Sequence, residues 1–109
     1  MIMSKPPEWT RYLPLTESTA YILLALSEPL HGYGVMQRIE GMSEGTVRVG
    51  PGTLYGAFST LEKDGLILKV GEQDRRKTYT LTEKGRAVLQ EHLRRTGILL
   101  KHAGLVEGE

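Results

Sequence analysis

The sequence predicts a mainly α-helical fold with a two-stranded β-wing, arranged as a winged helix-turn-helix followed by a C-terminal helix. Three observations predict it. Three helical patterns with short connections come first, two short strand patterns around a polar loop follow, and an amphipathic helical pattern closes the chain. We divide the chain into an N-terminal arm (1–14), a winged helix-turn-helix domain (15–82), and a C-terminal helix with its tail (83–109).

The composition is that of one small globular domain. The chain has 109 residues, 39% of them hydrophobic, and its 14 basic and 13 acidic side chains leave a net charge of +1. A generally basic coat for nucleic acid is therefore excluded, whereas a local basic patch is not. Because the chain has no cysteine, disulfides, thiolate zinc sites and cysteine nucleophiles are excluded as well.

The sequence has no pattern typical of a membrane or secreted protein. Its longest unbroken apolar run, Ala20 to Leu26, has seven residues, whereas a membrane span needs about 18. The first nine residues contain prolines and charges instead of the apolar core of a signal peptide. We therefore expect a soluble cytoplasmic protein.

Three helices are predicted before the hairpin. The arm is expected to be non-helical because it contains three prolines. Thr16 can cap the first helix, whose apolar run 20–26 is expected to be buried on most sides. The second helix is predicted from residue 31 to about residue 42. The third begins at Pro51, which fits the first turn of a helix, and ends at the Asp64-Gly65 pair.

The hairpin is predicted to form the wing. Its strands cover 66–70 and 77–81, and the loop 71–76 between them is polar. Residues 69–86 carry six bases and three acids, a balance of +3, whereas residues 1–68 carry five bases and seven acids, a balance of −2. Positive charge is thus concentrated in the wing and its flank, as phosphate neutralisation requires. The predicted phosphate contacts are Arg75, Arg76 and Lys77.

The third helix has the features of a recognition helix, the helix that reads bases in the major groove. Its start combines small and polar residues, and such helices present their amino-terminal end to base edges. Apolar residues at helical spacing would hold the opposite face on the core. Threonine methyls can contact thymine, and hydroxyls can bond to bases or phosphates. The outward-facing candidates are Thr53, Tyr55, Ser59 and Lys63.

The last helix is predicted to mediate dimerisation. Thr82 can cap it, and it is expected to run from Glu83 to about Ala103, with Gly97 as a point where it can kink or break, followed by a frayed tail over 104–109. Its apolar stripe can either close the domain's own core or meet the same helix of a second subunit, and the strongly apolar first helix needs cover too. A homodimer would supply that cover and would match a palindromic double-stranded DNA operator. The predicted dimerisation residues are Leu23, Leu89, Leu93 and Leu100.

The sequence contains no recognisable catalytic, cofactor or metal motif. Gly45 to Gly50 has the glycine spacing of a phosphate loop, but Pro51-Gly52 follows where lysine and a hydroxyl residue are needed. The histidines at 31, 92 and 102 lack the spacing of a helical metal pair, so capping or surface roles are predicted for them. An enzyme is therefore not expected.

Three blocks of the sequence, taken together, resemble the PadR family of transcriptional regulators. Residues 30–35 (LHGYGV) resemble the family's His-Gly-Tyr motif. Residues 52–55 (GTLY), followed by 61–67 (LEKDGLI), are similar to its recognition helix and first strand. Residues 76–85 (RKTYTLTEKG) resemble its wing and the start of its last helix. The short last helix matches the compact branch of the family.

The resemblance implies a dimeric repressor that leaves DNA when it binds a small effector, often an aromatic compound. It adds Tyr33 to the predicted DNA contacts, and also carries over Thr53, Tyr55, Arg75, Arg76 and Lys77. One departure is Gly56, which stands where the family usually has proline. Another is that residues 82–109 contain no aromatic side chain, so the candidates for stacking an aromatic effector are Trp9, Tyr12 and Tyr21.

Two other functions remain open from the residues alone. A winged helix can serve as a protein-interaction module without contacting DNA, in which case binding would lack the steep salt dependence of phosphate contacts. A small-molecule sensor without direct DNA binding would show ligand saturation and no shift of DNA.

Overall fold

The computed structural model describes residues 6–107, and it confirms the predicted fold class. The α-helices are α1 (Glu17–Ala25), α2 (Gly32–Met42), α3 (Pro51–Lys63) and α4 (Glu83–Leu100). The strands are β1 (Leu30–His31), β2 (Ile67–Gln73) and β3 (Arg76–Leu81), and short 3-10 helices cover Glu8–Tyr12 and Ala103–Leu105.

The sheet has three strands in the order β1-β3-β2, all antiparallel, and not the two that the sequence predicts. The additional strand is the two-residue β1, in which Leu30 pairs with Tyr79 and His31 with Thr78. We use "wing" for the β2–β3 hairpin, residues 67–81. β1 therefore attaches the base of the wing to the start of α2.

The wing is also longer than predicted. The hairpin closes in a two-residue turn, Asp74-Arg75, so polar residues assigned to a loop belong to the strands. Both turn residues have positive φ, 52° and 65°. A two-residue hairpin turn of type I′ requires this, and its twist matches that of the flanking strands. A bulge interrupts the register between Lys69 and Gly71.

The helix boundaries agree with the predicted capping residues. The Thr16 hydroxyl accepts a hydrogen bond from the Thr19 N–H at 3.1 Å, and the Thr82 hydroxyl accepts one from the Gly85 N–H at 2.9 Å. α4 continues through Gly97 without a break but ends at Leu100, three residues early. The arm was expected to lack helix; it instead holds the 3-10 helix at 8–12.

The core lies between α1, α2, α3, the base of the wing and the first half of α4. Its fully buried side chains include Ile22, Leu26, Ile39, Leu54 and Val88. These residues come from all four helices and the end of α1, so the helix-turn-helix and α4 share one apolar core, in which α3 is held at a fixed angle to the wing. This arrangement leaves the outer face of α3 exposed beside the wing.

The segment between α2 and α3 is held in place by buried side chains. Val47 and Val49 are buried, and Ser43 is the buried polar side chain next to them. The Ser43 Oγ accepts a hydrogen bond from the Val47 N–H at 3.0 Å and lies 3.1 Å from the Val47 carbonyl. The connection before α3 is therefore held by the burial of both valines and by the hydrogen bonding of Ser43 to Val47.

Candidate nucleic-acid interface

A cleft of about 430 Å³ lies between the start of α2, the outer face of α3 and the wing; we call it the α3–wing cleft. Six of the eight residues predicted to contact DNA line it, although they come from three separate parts of the chain. Those six are Tyr33, Tyr55, Ser59, Arg75, Arg76 and Lys77.

Aromatic packing forms the floor of this cleft. Phe58 is buried, and its ring meets Tyr55 edge-on at 6.0 Å and Tyr79 at 4.8 Å between centroids. Burial raises the pKa of the Tyr79 phenol, so Tyr79 stays uncharged. Neither Phe58 nor Tyr79 was predicted to be part of the site. Their helical and alternating spacing identifies them as core residues, and they act here by supporting Tyr55.

The two exposed tyrosines present hydroxyl groups on the surface of the cleft. Tyr33 is 55% exposed and Tyr55 is 52% exposed. The Tyr33 oxygen accepts a hydrogen bond from Gln37 Nε2 at 3.2 Å, so its own proton remains available to an outside acceptor. Both phenols can therefore donate hydrogen bonds to an anionic or polar partner.

The wing provides three cations that form no ion pair within residues 6–107. Lys69 is paired with Glu72 at 2.7 Å, and that contact raises the pKa of Lys69 and lowers the pKa of Glu72. By contrast, no ion pair within residues 6–107 includes Arg75, Arg76 or Lys77. All three are exposed. Arg75, Arg76 and Lys77 thus present positive charge beside the cleft, although Glu72 lies opposite Lys77 in the hairpin.

The other two predicted contacts lie outside the cleft. Thr53 and Lys63 are exposed, but they stand at opposite ends of α3 and do not line this cavity. The structure therefore groups the centre of α3 with the wing and leaves these two positions at the margins.

Two residues at the start of α2 belong to the site but were not predicted as contacts. His31 and Gly32 line the α3–wing cleft. His31 caps α2, because its Nδ1 accepts a hydrogen bond from the Gly34 N–H at 3.1 Å, which agrees with the capping or surface role predicted for it. Their position directly before Tyr33, a predicted contact, is the sequence feature that could have indicated their place in the site.

Two of the three predicted effector residues share a second cleft, of about 280 Å³, which we call the arm cleft. It is lined by Glu8, Trp9, Arg11, Tyr12 and Lys84. The Tyr12 oxygen accepts hydrogen bonds from Arg11 at 2.8 Å and from Lys84 at 3.2 Å, and these cations lower the pKa of Tyr12. The third candidate, Tyr21, does not line this cleft.

The predicted dimerisation residues divide into two groups. Leu23 and Leu89 are buried within the chain's own core, so a partner could reach them only if that core opened, and assigning them to an interface was wrong. Leu93 and Leu100 are 41% and 70% exposed, and the neighbouring Ile98 and Leu99 are exposed too. An apolar surface therefore remains on the second half of α4.

The part of the chain that the structure describes holds no cluster of acidic and histidine side chains that could bind a metal ion. None of the helices in residues 6–107 combines the length and apolar character that crossing a membrane would require.

A helix-turn-helix whose second helix shares a cleft with a basic β-wing defines a winged-helix protein. The chain belongs to the PadR-like family of transcriptional regulators, whose sequence model matches residues 22–91. This confirms the resemblance carried by the three motif blocks. Proteins of this family are transcriptional regulators, not enzymes.

Individual relatives agree with this membership. The chain is 41% identical over 70 residues to a 37.1 kDa protein of a Streptomyces fradiae transposon and 32% identical over 62 residues to the transcriptional regulator YqjI of Escherichia coli. These matches cover 63% and 57% of this chain, but only 20% and 30% of the relatives. The structure is similar to that of a PadR-like transcriptional regulator from Bacillus cereus, with a TM-score of 0.70, 25% identity, and 83% and 91% of the two chains covered.

Proposed function

We propose that the protein is a sequence-specific DNA-binding regulator in which α3 enters the major groove and the wing contacts the neighbouring phosphates or minor groove. The observation that carries this proposal is the α3–wing cleft, which brings the tyrosines of α2 and α3 together with three exposed cations of the wing. Uncharged donors suit base edges and phosphates, whereas the cations suit phosphates.

The experiment is a titration of the protein against its own upstream DNA at several salt concentrations, with unrelated DNA as the comparison. We expect tight, footprinted binding with a steep salt dependence. Arg75→Ala with Arg76→Ala should weaken binding to every sequence and reduce the log–log salt slope by about 1 to 2. The matched control is Arg94→Ala with Arg95→Ala, which removes the same charge from α4, where both arginines already pair with Glu91.

A base-reading role for α3 makes a different prediction. Thr53→Ala should change the preference among operator variants, by about 1 to 3 kcal/mol for each base interaction that the substitution removes. A uniform loss across all variants would instead identify Thr53 as a phosphate contact. Saturable binding without DNA recognition would favour a sensor, and protein binding without steep salt dependence would favour an interaction module.

We propose a homodimer formed through the exposed second half of α4. The support is the apolar surface of Leu93, Ile98, Leu99 and Leu100, which a second copy of the chain would cover. Two-fold symmetry would place two wings on a palindromic site. Leu93→Asp with Leu100→Asp should convert the dimer to monomer in sedimentation experiments and abolish cooperative footprinting, whereas Gln90→Asp, at an exposed position in the first half of the same helix, tests the effect of charge alone.

We further propose that the protein represses transcription and is released by a small aromatic effector bound at the arm cleft. Trp9 lines this cleft and is the one tryptophan of the sequence, so its fluorescence reports occupancy directly. Benzoate and phenol are suitable planar probes. Binding should quench Trp9 and lower operator affinity in parallel; quenching without a change in DNA affinity would contradict the effector role.

A further inference from the structure

His31 holds two structural positions at once. It is the last residue of β1, paired with Thr78 of the wing, and it is also the N-cap residue of α2. In that cap its Nδ1 accepts a hydrogen bond from the Gly34 N–H. Because Nδ1 is an acceptor, the neutral imidazole carries its proton on Nε2. The hydrogen bond therefore fixes which ring nitrogen can donate.

The free nitrogen belongs to a ring that faces the proposed DNA surface. The half-buried His31 lines the α3–wing cleft together with Tyr33, Arg76 and Lys77, and it also lines an adjoining cleft with Asp74, Arg76 and Thr78. The bond from the Gly34 N–H is the only hydrogen bond that the His31 ring makes within residues 6–107. A donor without a protein acceptor thus stands beside Arg76 and Lys77, which form no ion pair within residues 6–107, although Asp74 also lines the adjoining cleft.

We propose that His31 is a further DNA-contacting residue, whose Nε2–H donates to a phosphate oxygen seated between the start of α2 and the wing. This inference rests on the proposed DNA-binding function. A phosphate satisfies both features of the location, because its oxygens accept from the imidazole while Arg76 and Lys77 offset its charge. A base edge would satisfy the donor but leave the two cations without a counter-charge.

The arrangement also explains why the donor would be effective. The strand pairing holds the His31 backbone and the cap holds its ring, so little side-chain freedom is lost when the phosphate binds. The contact would be shared by the helix-turn-helix and the wing, because His31 belongs to an element of each. His31 therefore sets the position of the phosphate relative to both elements.

Two substitutions separate the two nitrogens of the ring. In His31→Asn, the amide oxygen lies near the position of Nδ1, and asparagine is among the preferred N-cap residues, so the cap is kept and the distal donor is removed. In His31→Gln, the amide nitrogen can reach the position of Nε2 while the cap is weakened. Comparing the two variants distinguishes a DNA contact from a purely structural role.

We expect His31→Asn to unfold at nearly the wild-type temperature and to bind operator DNA about 10- to 100-fold more weakly, the effect of removing a hydrogen bond to a charged group. Its log–log salt slope should equal the wild-type slope, because a neutral donor releases no counterion; Arg76→Ala should lower that slope by about 1. His31→Gln should unfold at a lower temperature but bind more tightly than His31→Asn at a temperature where both are folded.

A chemical substitution in the DNA identifies the acceptor. Replacing the contacted phosphate with a methylphosphonate should weaken wild-type binding but cause little further loss in His31→Asn, since that variant no longer donates to it. Wild-type affinity in His31→Asn, or equal affinity in the two variants, would overturn the inference alone. Absence of specific binding by the wild-type protein would overturn the proposed function, so the two failures are distinguishable.

Discussion

The Tyr55 ring lies directly against the Cα atom of Gly32. A Cβ added at Gly32 would stand 2.5 Å from the Tyr55 phenol oxygen and 2.8 Å from its Cζ atom. An aromatic residue of α3 can therefore pack against the first turn of α2 only because that turn begins with glycine. Tyr55 is held on one side by this contact and on the other by the buried ring of Phe58.

Gly32→Ala should accordingly reduce operator affinity with only a small effect on stability. The added methyl would push the Tyr55 ring away from α2 and into the α3–wing cleft, where its hydroxyl would be displaced. Gly41→Ala is the matched control, because it lies on the same helix and has no atom within 4 Å of its added Cβ. DNA titrations of both variants test the effect; equal affinities would show that the position of Tyr55 does not matter for binding.

Gly85→Ala should be among the most destabilising single-methyl changes in the chain. A Cβ there would overlap the Leu66 carbonyl oxygen, which is backbone and cannot rotate away, so α4 must shift from the start of the wing. We expect a loss of about 2 to 4 kcal/mol in the free energy of unfolding. Urea denaturation provides the measurement.

The control for that substitution is Gly97→Ala on the same helix. No atom lies within 4 Å of its added Cβ, and alanine is the better helix former by about 1 kcal/mol. The two variants should therefore change stability in opposite directions. A similar loss in both would mean that the packing of Gly85 against Leu66 is not the cause.

The wing turn combines backbone strain with a cation that we expect to bind DNA. Asp74 and Arg75 both adopt positive φ, a conformation that asparagine and glycine tolerate better. The double substitution Asp74→Asn with Arg75→Gly should raise the free energy of unfolding by about 1 kcal/mol. Because it removes one cation, it should also weaken DNA binding and reduce the salt slope. Arg75→Ala separates the effects, since it removes the charge without relieving the strain; unchanged stability in the double variant would refute this account of the turn.

Glu91 should make the free energy of unfolding depend on pH in the acid range. Hydrogen bonds from Arg94 and Arg95 lower its pKa from 4.5 to about 2. The ionised carboxylate therefore contributes stability that is fully present above about pH 5 and is lost as the pH falls toward 2. Glu91→Gln lacks this contribution, so the difference between wild type and variant in the free energy of unfolding should shrink over that interval. A difference that is constant from pH 7 to pH 2.5 would contradict it.

The sequence predicted the parts of the fold that depend on neighbouring residues. Thr16 and Thr82 cap helices because their hydroxyls reach N–H groups three residues away, and such local chemistry is visible in the sequence. By contrast, β1 exists only because Leu30 and His31 meet residues 78 and 79, which are far along the chain. The two residues have no strand pattern of their own.

The same distinction applies to the candidate site and to the apolar residues. In the sequence, Leu23 and Leu93 both belong to apolar helical patterns, and nothing there distinguishes them. The packing of the elements does: Leu23 is in the chain's own core, whereas Leu93 is exposed. His31 was recognised as a cap and not as part of the cleft, because the wing approaches it through β1. Long-range strand pairing was thus the missing information in both the fold and the site.

Lys84 connects α4, the end of α3 and the arm through one ammonium group. Its Nζ donates to the Asp64 carbonyl at 2.7 Å, at the end of α3, and to the Tyr12 oxygen at 3.2 Å, in the arm. Lys84→Met keeps the apolar stem but removes both bonds, so we expect a loss of about 1 to 2 kcal/mol in the free energy of unfolding. It should also increase protease cleavage in the arm, because Tyr12 would no longer be tied to α4. Lys101→Met, at an exposed position of the same charge, should leave both measurements unchanged; if it lowered stability as much as Lys84→Met, general charge rather than the link between α3 and the arm would be responsible.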